Sequence, residues 1–201
     1  MKKLGFLMFM LALALMLGGN ALAQNVGDNS VYFTTYYANN IVSAVVPDAT
    51  VRIINDGDSS LNDLWASIYV FDDSQELTEC CSCDITADGL LSESVKNDLT
   101  AAPLTGIHPY RGVIKVISSS VPAAGPNFTN KPTAGLRGWA THIQSFANHN
   151  PFGAAPFYQT ETTLADSNLT APEELLLENL CFFDHLLSGK NCRCTQEDLD
   201  F

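Results

Sequence analysis

Six cysteines in two tight groups constrain this chain more than any other feature. Cys80, Cys81 and Cys83 form one group, and Cys181, Cys192 and Cys194 form the other. A disulfide needs Cα atoms about 4.4–6.8 Å apart, whereas neighbouring Cα atoms sit near ~3.8 Å, so bridges between the groups are favoured over bridges within them. The pairing inside that constraint stays open. We expect the Cys80–Cys83 loop to be tied to a C-terminal helix and tail. A bridge closing a loop of about 100 residues contributes roughly 4–5 kcal/mol by restricting the unfolded chain, and further bridges across the same interval do not add in full.

In an exported protein an even number of cysteines implies oxidation, and the N-terminus supplies the signal for export. Lys2 and Lys3 precede an apolar run from Leu4 to about Leu17, which Ala21-Leu22-Ala23 closes as a small-x-small site. This has the form of a signal peptide over residues 1–23, with cleavage near Ala23-Gln24. The run is too short to span a bilayer comfortably, and no membrane insertion of the mature chain is expected. The expected product is secreted, periplasmic or on the cell surface. Removal of 23 from 201 residues leaves 178, and losing two lysines takes the net charge from -12 to -14. That length suits a single domain over residues 24–201. The acidity excludes nucleic acid as a partner, since phosphate binding needs clustered Lys and Arg.

From Val31 to about Ser120 the chain reads as strands. Val31–Tyr37, Ile41–Val46, Thr50–Ile54, Leu64–Phe71 and Gly112–Ile117 are rich in β-branched and aromatic residues, with turn signals at Pro47-Asp48 and Asn55-Asp56-Gly57-Asp58. Leu136–Phe146 and Tyr158–Leu164 are further strand candidates. Short strands between turns predict a mainly β fold, an antiparallel β-sandwich of Ig-like or jelly-roll-like type. One C-terminal α-helix is expected over about residues 171–188. Thr170 and Glu173 have the spacing of a capping box, Pro172 suits the first turn, and Gly189 suits the end. Leu176, Leu180, Phe183 and Leu187 share one helix face, which is expected to pack on the sandwich, with a partner-binding face as the alternative.

The chemistry-bearing clusters are sparse. Cys181, His185, Cys192 and Cys194 have the composition of a Cys3His metal site, but Cys192-x-Cys194 is tighter than the usual zinc knuckle and oxidation competes for each thiol. Asp56, Asp58, Ser60 and Asn62 alternate oxygen donors as a calcium loop does, without the bidentate Glu such a loop needs, and a polar turn explains them as well. His108, His142, His149 and His185 stand apart. No nucleophile elbow, metalloprotease helix or phosphate-cradling loop occurs, so no catalytic residue and no cofactor is assigned. Asn127-Phe128-Thr129 and Asn168-Leu169-Thr170 fit the glycosylation acceptor.

The run Leu64-Trp65-Ala66-Ser67-Ile68-Tyr69-Val70-Phe71-Asp72, with Glu79-Cys80-Cys81-Ser82-Cys83, Asp88-Gly89-Leu90-Leu91 and Gly112-Val113-Ile114-Lys115, resembles a set of uncharacterised secreted bacterial proteins. These carry a similar strand followed by a Cys-Cys-x-Cys loop. The resemblance covers roughly residues 50–165, implies export and a stapled β fold, and transfers no activity.

The expected role is therefore non-enzymatic: a disulfide-stapled extracellular or cell-surface component, structural or adhesive. It would partner itself, as an oligomer or filament built by strand addition, or another cell-surface molecule. Residues 24–38 are the candidate donated strand, against the simpler alternative of a strand held in its own sheet. A binding module for carbohydrate or calcium is the alternative role, and a secreted hydrolase with dispersed carboxylates the third.

Overall fold

A computed structural model describes residues 29–39, 48–57, 62–123, 129–145, 157–188, 192 and 194. The expected signal segment, the Ile41–Val46 run, His149 and Gly189 lie outside the described residues. Among the described residues nine strands form two antiparallel sheets: β1 (Tyr32–Ala38), β2 (Thr50–Asn55), β3 (Leu64–Asp72), β4 (Leu77–Ile85), β5 (Leu90–Ser94), β6 (Arg111–Ser119), β7 (Leu136–Ser145), β8 (Phe157–Thr163) and β9 (Ala165–Asp166). One sheet runs β4-β3-β6-β1-β9 and the other β5-β2-β7-β8. The fold is mainly β and is a two-sheet sandwich, as the strand-and-turn pattern predicts.

Alternation of side chains along each strand builds the core. Val51 and Ile53 of β2, Leu64, Ala66, Ile68 and Val70 of β3, Ile114 and Val116 of β6, and Leu136 and Ala140 of β7 meet between the sheets. Central strand β3 buries its other face as well: Tyr69 packs with Tyr32, Ile117 and Cys80 beneath the helix α1 (Ala171–Ser188). β1 pairs with β6 along all seven residues, from Tyr32↔Ile117 to Ala38↔Arg111, so the strand considered for donation is held within its own sheet.

Three strands were not anticipated. The Cys-Cys-x-Cys segment is not a loop but the middle of β4, Leu90–Ser94 is an edge strand beside β2, and the two-residue β9 pairs with β1. The composition hides β4: of the inward-facing Glu79, Cys81, Cys83 and Ile85 only the last is a strong strand former, and the two cysteines are bridged to a second segment of chain.

Helix α1 starts at Thr170, whose Oγ1 accepts the Glu173 N–H at 3.4 Å. The reciprocal half of the capping box does not form. Glu173 instead reaches across to the sheet, accepting from Lys115 Nζ at 2.5 Å and from the Tyr32 hydroxyl at 2.9 Å. The Lys115 ammonium, followed by the Tyr32 bond, holds the Glu173 carboxyl below its ordinary range against the opposing effect of burial. A carboxylate with a depressed folded pKa stabilises the fold above its unfolded pKa and loses that contribution as pH falls through the folded value. Glu173→Gln is expected to cost about 1 kcal/mol near neutrality. Urea titrations should show that difference closing as the pH drops below the usual glutamate range.

Candidate functional site

The feature that distinguishes this sandwich is its β4 side, where all six cysteines pair between groups: Cys80–Cys181, Cys81–Cys192 and Cys83–Cys194, with Cα separations of 5.7, 5.4 and 5.4 Å. Because β4 alternates, Cys80 points to the outer face and Cys81 and Cys83 point inward. The outer bridge joins the cluster of Tyr69, Tyr32 and Leu177 beneath α1, while Cys192 joins the core between the sheets with Cys194 packed against it. Cys181 of the helix is bonded on the outer face, and Cys192 is bonded on the inner face. An edge strand is thereby clamped from both sides by the C-terminal segment. The Sγ atoms of Cys81 and Cys83 lie 3.9 Å apart, making the two inner bridges neighbours.

This geometry divides the Cys3His set that stood as the alternative to bridges. Cys181 and His185 lie with Cys80 on the outer face, and Cys192 and Cys194 lie with Cys81 and Cys83 on the inner face. Every cysteine in both clusters is bridged, and a disulfide sulfur is not a thiolate donor. The cause of the division is strand alternation at Cys80 and Cys81.

Asp184, on the buried face of α1, has its Oδ2 3.8 Å from Cys80 Sγ and is 3% exposed. Burial raises its pKa to about 6, against a backbone hydrogen bond from Cys80 that lowers it. Its neighbour His185 is pushed down by burial, again opposed by a hydrogen bond with Cys80. The Asp184 sign follows from linkage. The folded acid holds its proton more tightly than the unfolded one, so below about pH 4 it costs nothing; stability then falls as pH rises towards about 6, and above that the penalty is complete, on the order of 3 kcal/mol. Asp184→Asn should therefore gain up to ~3 kcal/mol at pH 8 and little at pH 4, measured by denaturant unfolding at both.

At the segment weighed as a polar turn, with a calcium loop as the lesser alternative, the described side chains are engaged by the protein itself. Asp56 Oδ2 accepts from Arg137 Nε at 3.1 Å, and Asn55 closes the turn by accepting the Gly57 N–H and donating to the Asn62 and Ile85 carbonyls. Gly57 takes a φ of +65°, which suits glycine. Asp58 and Ser60 lie outside the described residues. The segment links β2 of one sheet to β3 of the other, so it is not the hairpin turn that its residues suggest, and the first of the candidate ligands is engaged by a cation.

His142 is 2% exposed, bonds Thr162 Oγ1 through Nε2 at 2.8 Å and stacks on Tyr36 with ring centroids 4.0 Å apart. Burial lowers its pKa. Tyr36 is itself 56% exposed, the one side of this stack open to solvent. Glu79 and Glu93 are fully buried and engaged: the Ala102 N–H donates to Glu79 at 3.1 Å.

The helix face departs most from expectation. Leu177, Cys181 and Asp184 turn inward, whereas Leu176, Phe183 and Leu187, expected in the core, are 51%, 55% and 70% exposed. Cys181 decides the rotation: its sulfur has to reach Cys80, and that brings the Leu177 side of the helix onto the sheet. The decisive signal was the cysteine within the helix, which outweighs leucine periodicity in a segment that offers apolar residues on two faces.

No family model and no curated protein matches the chain. Among solved structures it is similar to Thermotoga maritima 1070, with 14% identity, 71% of this chain and 97% of that chain covered, and a TM-score of 0.42. It is also similar to the Anabaena sensory rhodopsin transducer, with 16% identity, coverage of 48% and 80%, and a TM-score of 0.36. Scores at this level do not establish a common fold.

Proposed function

We propose that the chain is an exported, non-enzymatic structural or adhesive subunit that works outside the reducing cytoplasm. The observation that carries this reading is the clamp: three bridges commit every cysteine to holding one C-terminal segment on both faces of an edge strand. Such bridges persist in oxidising compartments, and among the described residues no helix is long and apolar enough to cross a membrane. A fold stapled in this way resists opening, which suits a component that has to last. The signal-like residues 1–23 supply the route out of the cell.

The test is to purify the exported protein without reductant and to examine its size distribution and its electron micrographs. Assemblies that persist on dilution support the subunit reading. A dispersed protein whose thermal stability rises with a sugar would favour the carbohydrate-binding reading instead, for which the exposed Tyr36 ring is the supporting observation.

A further inference from the structure

We propose that the outward face of α1 is the docking surface for a second copy of this chain, paired antiparallel about a two-fold axis. At 100° per residue, Leu175, Leu186, Asn179, Phe183, Leu176 and Leu187 fall within one arc of about 120°, and from 175 to 187 the stripe is about 18 Å long. Its five apolar members are 51–70% exposed. This is a second apolar face on a helix whose first face already lies against the sheet.

Three observations select a copy of the chain as the occupant. The first is self-complementarity. Leucine pairs stand at both ends, Leu175-Leu176 and Leu186-Leu187, so reversing one helix against another about position 181 sets 175 against 187 and 176 against 186, with Asn179 against Phe183. An isologous interface requires this kind of symmetry. The second is charge. The arc holds no ionisable side chain, because Glu173, Glu174, Glu178 and Asp184 all fall outside it, so two acidic molecules can meet along it without opposing carboxylates in the seam. The same helix has no Lys or Arg, and the absence of a basic polar face disfavours an anionic bilayer as the occupant. The third is area. Five half-exposed large side chains amount to about 500 Å² per copy and ~1,000 Å² in total, which reaches the threshold of a specific interface.

This inference is independent of the structural-subunit reading, because a two-fold contact closes as a dimer and builds no filament alone. The experiment uses the oxidised exported chain in sedimentation and light-scattering measurements, with its three bridges verified by mass. The wild type is expected to be dimeric. Leu176→Lys and Leu186→Glu, each at an exposed site that leaves folding intact, should each weaken the dimer at least ~10-fold, and the double variant should restore it, because positions 176 and 186 meet across the axis. A wild-type chain that stays monomeric at about 100 µM overturns the proposal, and hydroxyl-radical footprinting then shows whether the stripe is bare or covered by its own chain. A dimer indifferent to both single variants overturns it too. Dimers with no larger assembly would uphold this interface and defeat the subunit reading, whereas large assemblies that survive Leu176→Lys would do the reverse.

Discussion

Removing the three bridges together is expected to cost about 10 kcal/mol, whereas removing the Cys83–Cys194 pair alone should cost only about 2 kcal/mol. The asymmetry follows from loop closure. Cys80–Cys181 has a sequence separation of 101, and closing such a loop in the unfolded chain is worth about 4.7 kcal/mol. With that bridge in place, Cys81–Cys192 closes only the short remainder between 181 and 192, worth about 3 kcal/mol. Cys83–Cys194 then closes a few residues more, worth about 2 kcal/mol. For a chain of this size each kcal/mol moves the melting temperature by about 2–4 °C, so the single-pair Cys-to-Ala variants should melt within about 10 °C of wild type, and the triple-pair variant some 20–35 °C lower. Equal losses for each pair, adding linearly, would contradict the nested-loop account.

Gly112→Ala is expected to destabilise by about 3–5 kcal/mol, although the change adds only one methyl group. At the start of β6 this glycine pairs with Asp72 of β3 and with Tyr37 of β1. A Cβ there would overlap the Phe71 carbonyl oxygen and stand 2.8 Å from the Phe71 carbonyl carbon and 2.9 Å from Asp72 Cα. Those atoms are backbone, held in the β3–β6 ladder, and the Phe71 carbonyl also accepts the buried Tyr37 hydroxyl at 3.2 Å. Nothing flexible can yield. Gly138 provides the comparison: a Cβ there meets chiefly the tip of the Leu164 side chain, with the Arg52 carbonyl oxygen at 3.3 Å. Gly138→Ala should therefore cost about 1–2 kcal/mol, since a leucine rotamer can shift. Denaturant midpoints of the two variants under oxidising conditions check the ordering, and a Gly112→Ala protein as stable as Gly138→Ala would show that β6 does not approach β3 this closely.

The parts of the fold that were legible are those where burial is carried by apolar side chains. The aromatic run of β1, the Val51-Ile53 alternation of β2 and the Leu64–Phe71 run announce themselves, and so does the start of α1, where Thr170 caps the helix and Pro172 stands in its first turn. The parts that were not legible are those where a long-range bond replaces ordinary hydrophobicity. β4 has few strong strand formers, and its inward Cys81 and Cys83 sit in the core bridged to Cys192 and Cys194. The rotation of α1 failed for a related reason, since Cys181 fixes which face meets the sheet and leaves the leucine stripe outside. For the site, pairing between the two groups was readable from Cα geometry, whereas the particular partners depend on which face of β4 each cysteine occupies, and that required the strand to be known. The Asp56 turn was legible as a turn, but its Arg137 partner, eighty-one residues away, was not.

The measurement that bears most directly on the clamp is the disulfide connectivity of the protein purified without reductant, obtained by partial reduction, differential alkylation and mass spectrometry. The account predicts Cys80–Cys181, Cys81–Cys192 and Cys83–Cys194, with no free thiol. Linkage of Cys181 to Cys81 or Cys83 would place the helix cysteine on the opposite face of β4 and contradict it, as would a protein that leaves its compartment with reduced cysteines.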